Sequence, residues 1–139
     1  LATRSWQVLI QSFSAQSLEK VHALDPSLPL IQLVSVPPAS PALEQSLDTV
    51  ATYAVGYGSL PVNMAALAAA AHERCLSVHP WTIDQPAIMT TVIGAGTDGI
   101  FTNMPDKLDA VLGKRAGRGR QVARRAAQLH RKCLKEKAG

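Results

Sequence analysis

Apolar positions along this chain fall into short blocks whose period changes from block to block. Residues 6–13, "WQVLIQSF", and 29–34, "PLIQLV", are near-continuous apolar runs that read as buried strands. Between them, "AQSLEKVHAL" (15–24) places Leu18, Val21 and Leu24 at helical spacing. Ser14 stands in the N-cap position, and Asp25-Pro26 ends the pattern. "PPASP" (37–41) is a turn-rich break before a short helical stretch at 42–52. "YAVGYGS" (53–59) reads as a short extended piece punctuated by two glycines. The alanine-rich run "VNMAALAAAAHERC" (62–75) predicts a helix on propensity alone. A third strand follows at 76–81, a helix at 86–93, a fourth short strand within "GTDGIFT" (96–102) and a helix at about 105–112. Residues 120–134 can form a last helix, with Val122, Ala126, Leu129 and Cys133 on one stripe.

Strands therefore alternate with helices, which predicts a parallel sheet with right-handed crossovers. The strands are apolar on both faces, as parallel strands covered by helices are. A doubly wound α/β sheet and part of a (β/α)8 barrel both fit. "GAGTDG" (94–99) is glycine-rich but precedes its strand, so it cannot set a helix N-terminus on a phosphate, and nucleotide binding is discounted.

Composition and charge sharpen this picture in two places. The 139 residues suffice for one domain, and no apolar run reaches the roughly 18 residues of a membrane span. The N-terminus lacks a basic segment followed by a long apolar core, so no signal peptide is expected. It also lacks a starting Met and enters strand-like sequence almost at once, as a fragment would. The net charge of +4 is uneven: from Lys114 onward there are ten basic residues and one acid, and before it four basic residues and nine acids. The expected organisation is a body at 1–113 and a basic tail at 114–139, helical or disordered, hinged at "GKRAGRGR". Cys75 and Cys133 form no CxxC motif, and His72 and His130 each lie three residues before a cysteine. Two free thiols are expected.

Chemistry in parallel α/β folds gathers at the carboxyl ends of strands. The polar and aromatic residues there are Gln11-Ser12-Phe13, Trp81-Thr82 and Thr102-Asn103. By strand alternation Ser77, His79 and Trp81 share one face, and Gln11 and Phe13 share another. His79, two residues below Trp81, reads as a hydrogen-bonded core histidine. The sequence supplies no metal-ligand spacing, no acid–base pair and no nucleophile with its base, so no catalytic or metal-binding residue is assigned.

Three segments in order carry a resemblance: "QSF" (11–13) with Leu24-Asp25-Pro26; Ala71, His72, Leu76, Val78, His79, Trp81 and Thr82; and Gly96, Asp98, Gly99, Ile100, Thr102 and Pro105. Residues 6–112 resemble the second half of the glycerophosphodiester phosphodiesterase family. The resemblance implies half of a TIM (β/α)8 barrel, strands five to eight. It implies metal-dependent hydrolysis of glycerophosphodiesters to sn-glycerol 3-phosphate and an alcohol, with Ca or Mg as the divalent cation. The family's catalytic histidines and metal carboxylates lie on strands one to four and have no counterpart here, so this chain alone is expected to be inactive. What carries over is a substrate wall of Trp81, with Phe13 and Gln11 at the rim. Asp84 stands where the family usually has Asn, and Asn103 where it usually has Asp. The family has cytoplasmic and exported members.

The implied partners are a small-molecule glycerophosphodiester and either the missing N-terminal half-barrel or a second copy paired through open sheet edges. The alternative is a non-catalytic α/β module whose basic tail binds anionic lipid or nucleic acid. The tail carries no aromatic residue, so base stacking is not on offer.

Overall fold

The computed structural model describes residues 8–113 and 122–139. Four parallel strands, β1 (Ile10–Ser12), β2 (Leu30–Leu33), β3 (Gly56–Gly58) and β4 (Ser77–Val78), form one sheet in chain order. The register pairs Gln11 with Ile31, Ile31 with Gly56 and Gly56 with Ser77, so these four side-chain positions lie on one row of one face. Helices α1 (Ala15–Leu24), α2 (Ala42–Val50), α3 (Met64–His72) and α4 (Pro86–Gly94) follow the four strands in turn. Helix α5 (Pro105–Leu112) comes next, and α6 (Val122–Ala138) closes the chain.

Local chemistry sets the helix ends. Ser14 Oγ accepts from Ser17 N at 3.2 Å at the start of α1. Pro86 and Pro105 occupy the first turns of α4 and α5, where a missing N–H costs nothing. One sheet face supplies the core. Leu30, Tyr57 and Val78 pack there against Leu18 of α1, Leu43, Leu47 and Val50 of α2, and Leu67, Ala68 and Ala71 of α3. Among the described residues no helix is long and apolar enough to cross a membrane.

The strand assignment differs from the sequence expectation in two places. "YAVGYGS" contains a full central strand, β3, which pairs on both sides. Its Gly-Tyr-Gly sequence lacks the β-branched residues that mark strands. Glycine is required there because a Cβ at Gly56 would lie 2.4 Å from Ile31 Cδ1 and 2.6 Å from Ser77 Oγ. The 96–102 segment, by contrast, is not a regular strand. It runs beside β4 and its continuation, with Asp98 N donating to Val78 O (2.9 Å), Phe101 N to Pro80 O (3.0 Å) and Ile83 N to Phe101 O (2.9 Å). Five extended segments thus lie side by side, where four were expected.

The cysteines are corrected as well. Cys75 and Cys133 form a disulfide, with Cα atoms 5.5 Å apart, within the span such a bond bridges. They are 58 residues apart, and only docking of α6 brings them together. Residues 114–120 of the expected "GKRAGRGR" hinge lie outside the described residues. The helix beyond it is present, docked rather than solvated: His130 Nδ1 donates to Cys75 O at 2.7 Å, and Lys137 Nζ donates to Glu73 O.

Candidate functional site

The carboxyl end of the sheet collects the aromatic residues that the sequence placed there. Phe13, just past β1, and Trp81, three residues past β4, meet edge to face with ring centroids 5.3 Å apart and planes at 83°. Phe13 is 57% exposed and Trp81 half-buried, so the pair forms an open apolar wall. Gln11 lies two residues earlier on the edge strand, exposed, and none of the side-chain hydrogen bonds among the described residues uses it.

The Trp81 segment is held from both sides. Trp81 N donates to Ser59 O at 3.0 Å. The backbone of Gly58 lies beneath it: a Cβ there would stand 2.7 Å from His79 O and 3.4 Å from Trp81 Cδ1. Three residues on, Asp84 closes the loop. Its Oδ1 accepts from Asn103 N (2.8 Å) and Thr102 Oγ1 (3.0 Å), and its Oδ2 from Asn103 Nδ2 (3.0 Å). The backbone N–H of Asn103, then its amide, hold the Asp84 carboxyl below the usual carboxylate range.

His79 is a core residue, as its position in the strand implied. It is 2% exposed, its ring lies 5.9 Å from that of Phe101, and burial lowers its pKa to about 4. The Ser77 hydroxyl donates to Val55 O at 3.1 Å, so at the 2.8 Å His79–Ser77 contact it accepts from His79 Nε2–H. His79 is thus neutral with its proton on Nε2.

Gln32 is the structural member that sequence reasoning missed. A glutamine in the apolar run "PLIQLV" reads as an interruption. It is 5% exposed, and its Nε2 donates to Ser12 O (3.3 Å), Phe13 O (3.0 Å) and Leu33 O (2.9 Å). Tyr53 OH donates to its Oε1 at 2.8 Å. Gln32 therefore ties down the stretch of chain that presents Phe13.

The arrangement can bind an apolar or carbon-rich surface. Among the described residues no three His, Cys, Asp or Glu side chains converge on a point that could hold a metal ion. The carboxylates nearest the sheet are occupied, Asp84 by three donors and Asp98 by Val78 N and His72 Nε2, both at 2.8 Å. These residues do not fit the divalent cation that the resemblance implies.

The sequence matches the model of the glycerophosphoryl diester phosphodiesterase family over residues 2–107. It is 38% identical over 102 residues to the glycerophosphodiester phosphodiesterase of Bacillus subtilis (strain 168), covering 72% of this chain and 34% of that protein. The fold is similar to that of a phosphodiesterase from Oleispira antarctica solved with the product sn-glycerol-3-phosphate. That likeness has a TM-score of 0.67 and 18% identity over 78% of this chain and 43% of the other. A glycerophosphodiester phosphodiesterase from Parabacteroides distasonis ATCC 8503 gives a TM-score of 0.59 at 20% identity, covering 76% of this chain and 43% of that one. The chain spans about a third of the length of the Bacillus subtilis relative.

Proposed function

The chain belongs to the glycerophosphoryl diester phosphodiesterase family, and from that premise we propose that it is the carboxyl-terminal part of such an enzyme. In this reading it supplies barrel strands and a substrate wall, while the metal carboxylates and the general acid lie on strands this chain does not contain. In this reading β1–β4 are barrel strands five to eight, and the 98–101 segment extends the sheet beyond β4. Two free edges result, β1 on one side and 98–101 on the other, and the rest of the barrel pairs with both.

The observation that carries the reading is the Phe13–Trp81 pair at the carboxyl end of the sheet. Barrel enzymes do their chemistry at that end. The open aromatic faces suit the carbon side of a glycerol or alcohol moiety, leaving the phosphate to polar groups opposite. Gln11 is a rim residue of the same wall. A metal-assisted diester hydrolysis needs a cation site and a proton donor for the leaving alkoxide, and among the described residues no cluster could hold the cation.

The test is release of sn-glycerol 3-phosphate from glycerophosphocholine with calcium or magnesium. The expected results are no turnover by this chain alone and turnover once the remaining barrel strands are supplied as a second polypeptide. In the complemented enzyme Trp81→Ala should lower kcat/KM by the equivalent of ~1–3 kcal/mol, the value of a large apolar contact. Turnover by the chain alone, or an indifferent Trp81→Ala, overturns the proposal.

A further inference from the structure

The amino end of β4, opposite Trp81, carries a second cluster that the proposed function does not use. The sequence repeats one spacing, His72-x-x-Cys75 and His130-x-x-Cys133. The fold brings the two copies together by joining their sulfurs. A cavity of about 230 Å³ opens beside the bond, and His72, Cys75, Cys133 and Asp98 all line it. Both histidines are already oriented through one ring nitrogen: His72 Nε2 donates to Asp98 Oδ2 at 2.8 Å, and His130 Nδ1 donates to Cys75 O at 2.7 Å. A carboxylate or a backbone carbonyl behind a histidine is the usual support of a metal-ligating imidazole.

We propose that reduction of the Cys75–Cys133 disulfide creates a zinc site. Its ligands are the two thiolates and His72, with Asp98 holding the His72 ring and His130 holding the backbone at Cys75. In the disulfide form each sulfur is bonded to the other, and among the described residues no three ligands converge. The site therefore belongs to the reduced chain alone. Two equivalents of a thiol reduce the bond, giving two cysteine thiols and one external disulfide. Zinc then displaces one proton from each thiol and takes the Nδ1 lone pair of His72.

Two thiolates with an imidazole form a soft donor set that selects zinc over magnesium or calcium. A tetrahedral site sets the two sulfurs roughly 3.8 Å apart, a small separation from bonded contact. The proposal does not rest on the phosphodiesterase reading, because the cluster sits at the opposite end of the sheet.

The experiment uses the whole chain, reduced with a phosphine under anaerobic conditions and titrated with Co²⁺, then with Zn²⁺. The reduced protein should take up one cobalt, showing a sulfur-to-cobalt charge-transfer band and the visible bands of tetrahedral cobalt, and zinc should displace it. The disulfide form should show neither band. Cys75→Ser and His72→Ala should lose the site, and Asp98→Asn should weaken it about 10–100-fold, the usual effect of losing a supporting partner. Zinc should also raise the melting temperature of the reduced wild type and leave that of the disulfide form unchanged, a readout independent of how the variants fold. A reduced wild type without the charge-transfer band or without zinc stabilisation overturns the proposal. So does a folded His72→Ala with wild-type affinity.

Discussion

Asp84 and Asn103 hold each other across the ends of two neighbouring segments. The Asp84 carboxylate accepts both the backbone N–H and the side-chain amide of Asn103, at 2.8 and 3.0 Å. Thr102 Oγ1 adds a third bond at 3.0 Å. The pair closes the loop that starts at Trp81 against the segment that ends at Thr102, so it fixes the rim of the candidate wall. Asp84 and Asn103 are the positions where the resemblance leads one to expect Asn and Asp, and a single contact joins them here.

Exchange of the pair should therefore be tolerated where half of it is not. Asn103→Asp sets two carboxylates at the 3.0 Å contact, and its melting temperature at neutral pH should be the lowest of the set. Asp84→Asn keeps an acceptor for Asn103 N but loses the charge-assisted bonds, and should fall between that variant and wild type. The double variant Asp84→Asn/Asn103→Asp restores one carboxylate and one amide and should melt close to wild type. Additive losses in the double variant would show that the two residues act independently.

Acid should weaken the fold in two separate windows. His79 is buried and its folded pKa is lowered to about 4 from 6.5. Between those values the unfolded chain binds a proton that the folded chain refuses, so stability falls as pH drops from 6.5 to about 4 and levels off below. A shift of this size corresponds to about 3 kcal/mol. For Asp84 the folded pKa lies below its ordinary 3.8, so its stabilisation is present above that value and is lost as pH falls through the folded pKa. Urea midpoints measured from pH 7 to pH 3 should show the upper window in wild type. His79→Gln, which keeps an N–H for Ser77 Oγ but does not titrate, should lack it. An unchanged upper window in that variant would assign the acid sensitivity elsewhere.

Much of this was legible because single residues carry strong local signals. Ser14 and Asp25-Pro26 bound α1, alanine makes α3, and Pro80 before Trp81 marks a strand's end facing the mouth. What escaped depends on partners distant in sequence. β3 is a central strand because it pairs with β2 and β4, where Ile31 and Ser77 leave room only for glycine, and Gly-Tyr-Gly alone reads as no more than a short extended piece. The cysteine bond spans 58 residues and needs a docked helix, which the charge of the tail disguised as a solvated one. Nothing local to Asp84 marks its role, because its partner Asn103 lies 19 residues away. The wall pair itself was readable as two strand ends, but the 5.3 Å contact between Phe13 and Trp81 joins the ends of β1 and β4, which are not neighbours in the sheet, and no local pattern encodes it.

Gly58 should prove as restrictive as a core residue although it has no side chain. An added Cβ would meet His79 O and Leu33 Cδ2, each at 2.7 Å, and the first of these is backbone that cannot rotate away. Relief comes only by pushing out the strand end that carries Trp81. Gly58→Ala should cost about 1–3 kcal/mol of stability, the usual penalty of overpacking. It should also alter the Trp81 environment, read as a shift in tryptophan emission in a Trp6→Phe background. A Gly58→Ala variant with wild-type stability and emission would mean that the strand end moves freely.

Gln32 gives the sharpest test of how the wall is positioned. Its amide serves three carbonyls and its Oε1 takes the Tyr53 hydroxyl, with the Leu33 and Tyr53 bonds buried. Gln32→Leu removes the donors and leaves the Tyr53 hydroxyl and the strand-end carbonyls without partners, at a cost of about 1–3 kcal/mol. Gln32→Glu should do worse, because a carboxylate facing carbonyl oxygens has nothing to donate. Part of the Gln32→Leu loss belongs to the orphaned hydroxyl, so adding Tyr53→Phe should recover that part. The carbonyl of Phe13 would still be free of its anchor in the double variant, and the Phe13–Trp81 contact should loosen even where stability returns. Urea midpoints follow the stability, and Trp81 emission in the Trp6→Phe background follows the contact. If emission recovers together with stability, Gln32 is a general core residue and the strand end holds Phe13 without it.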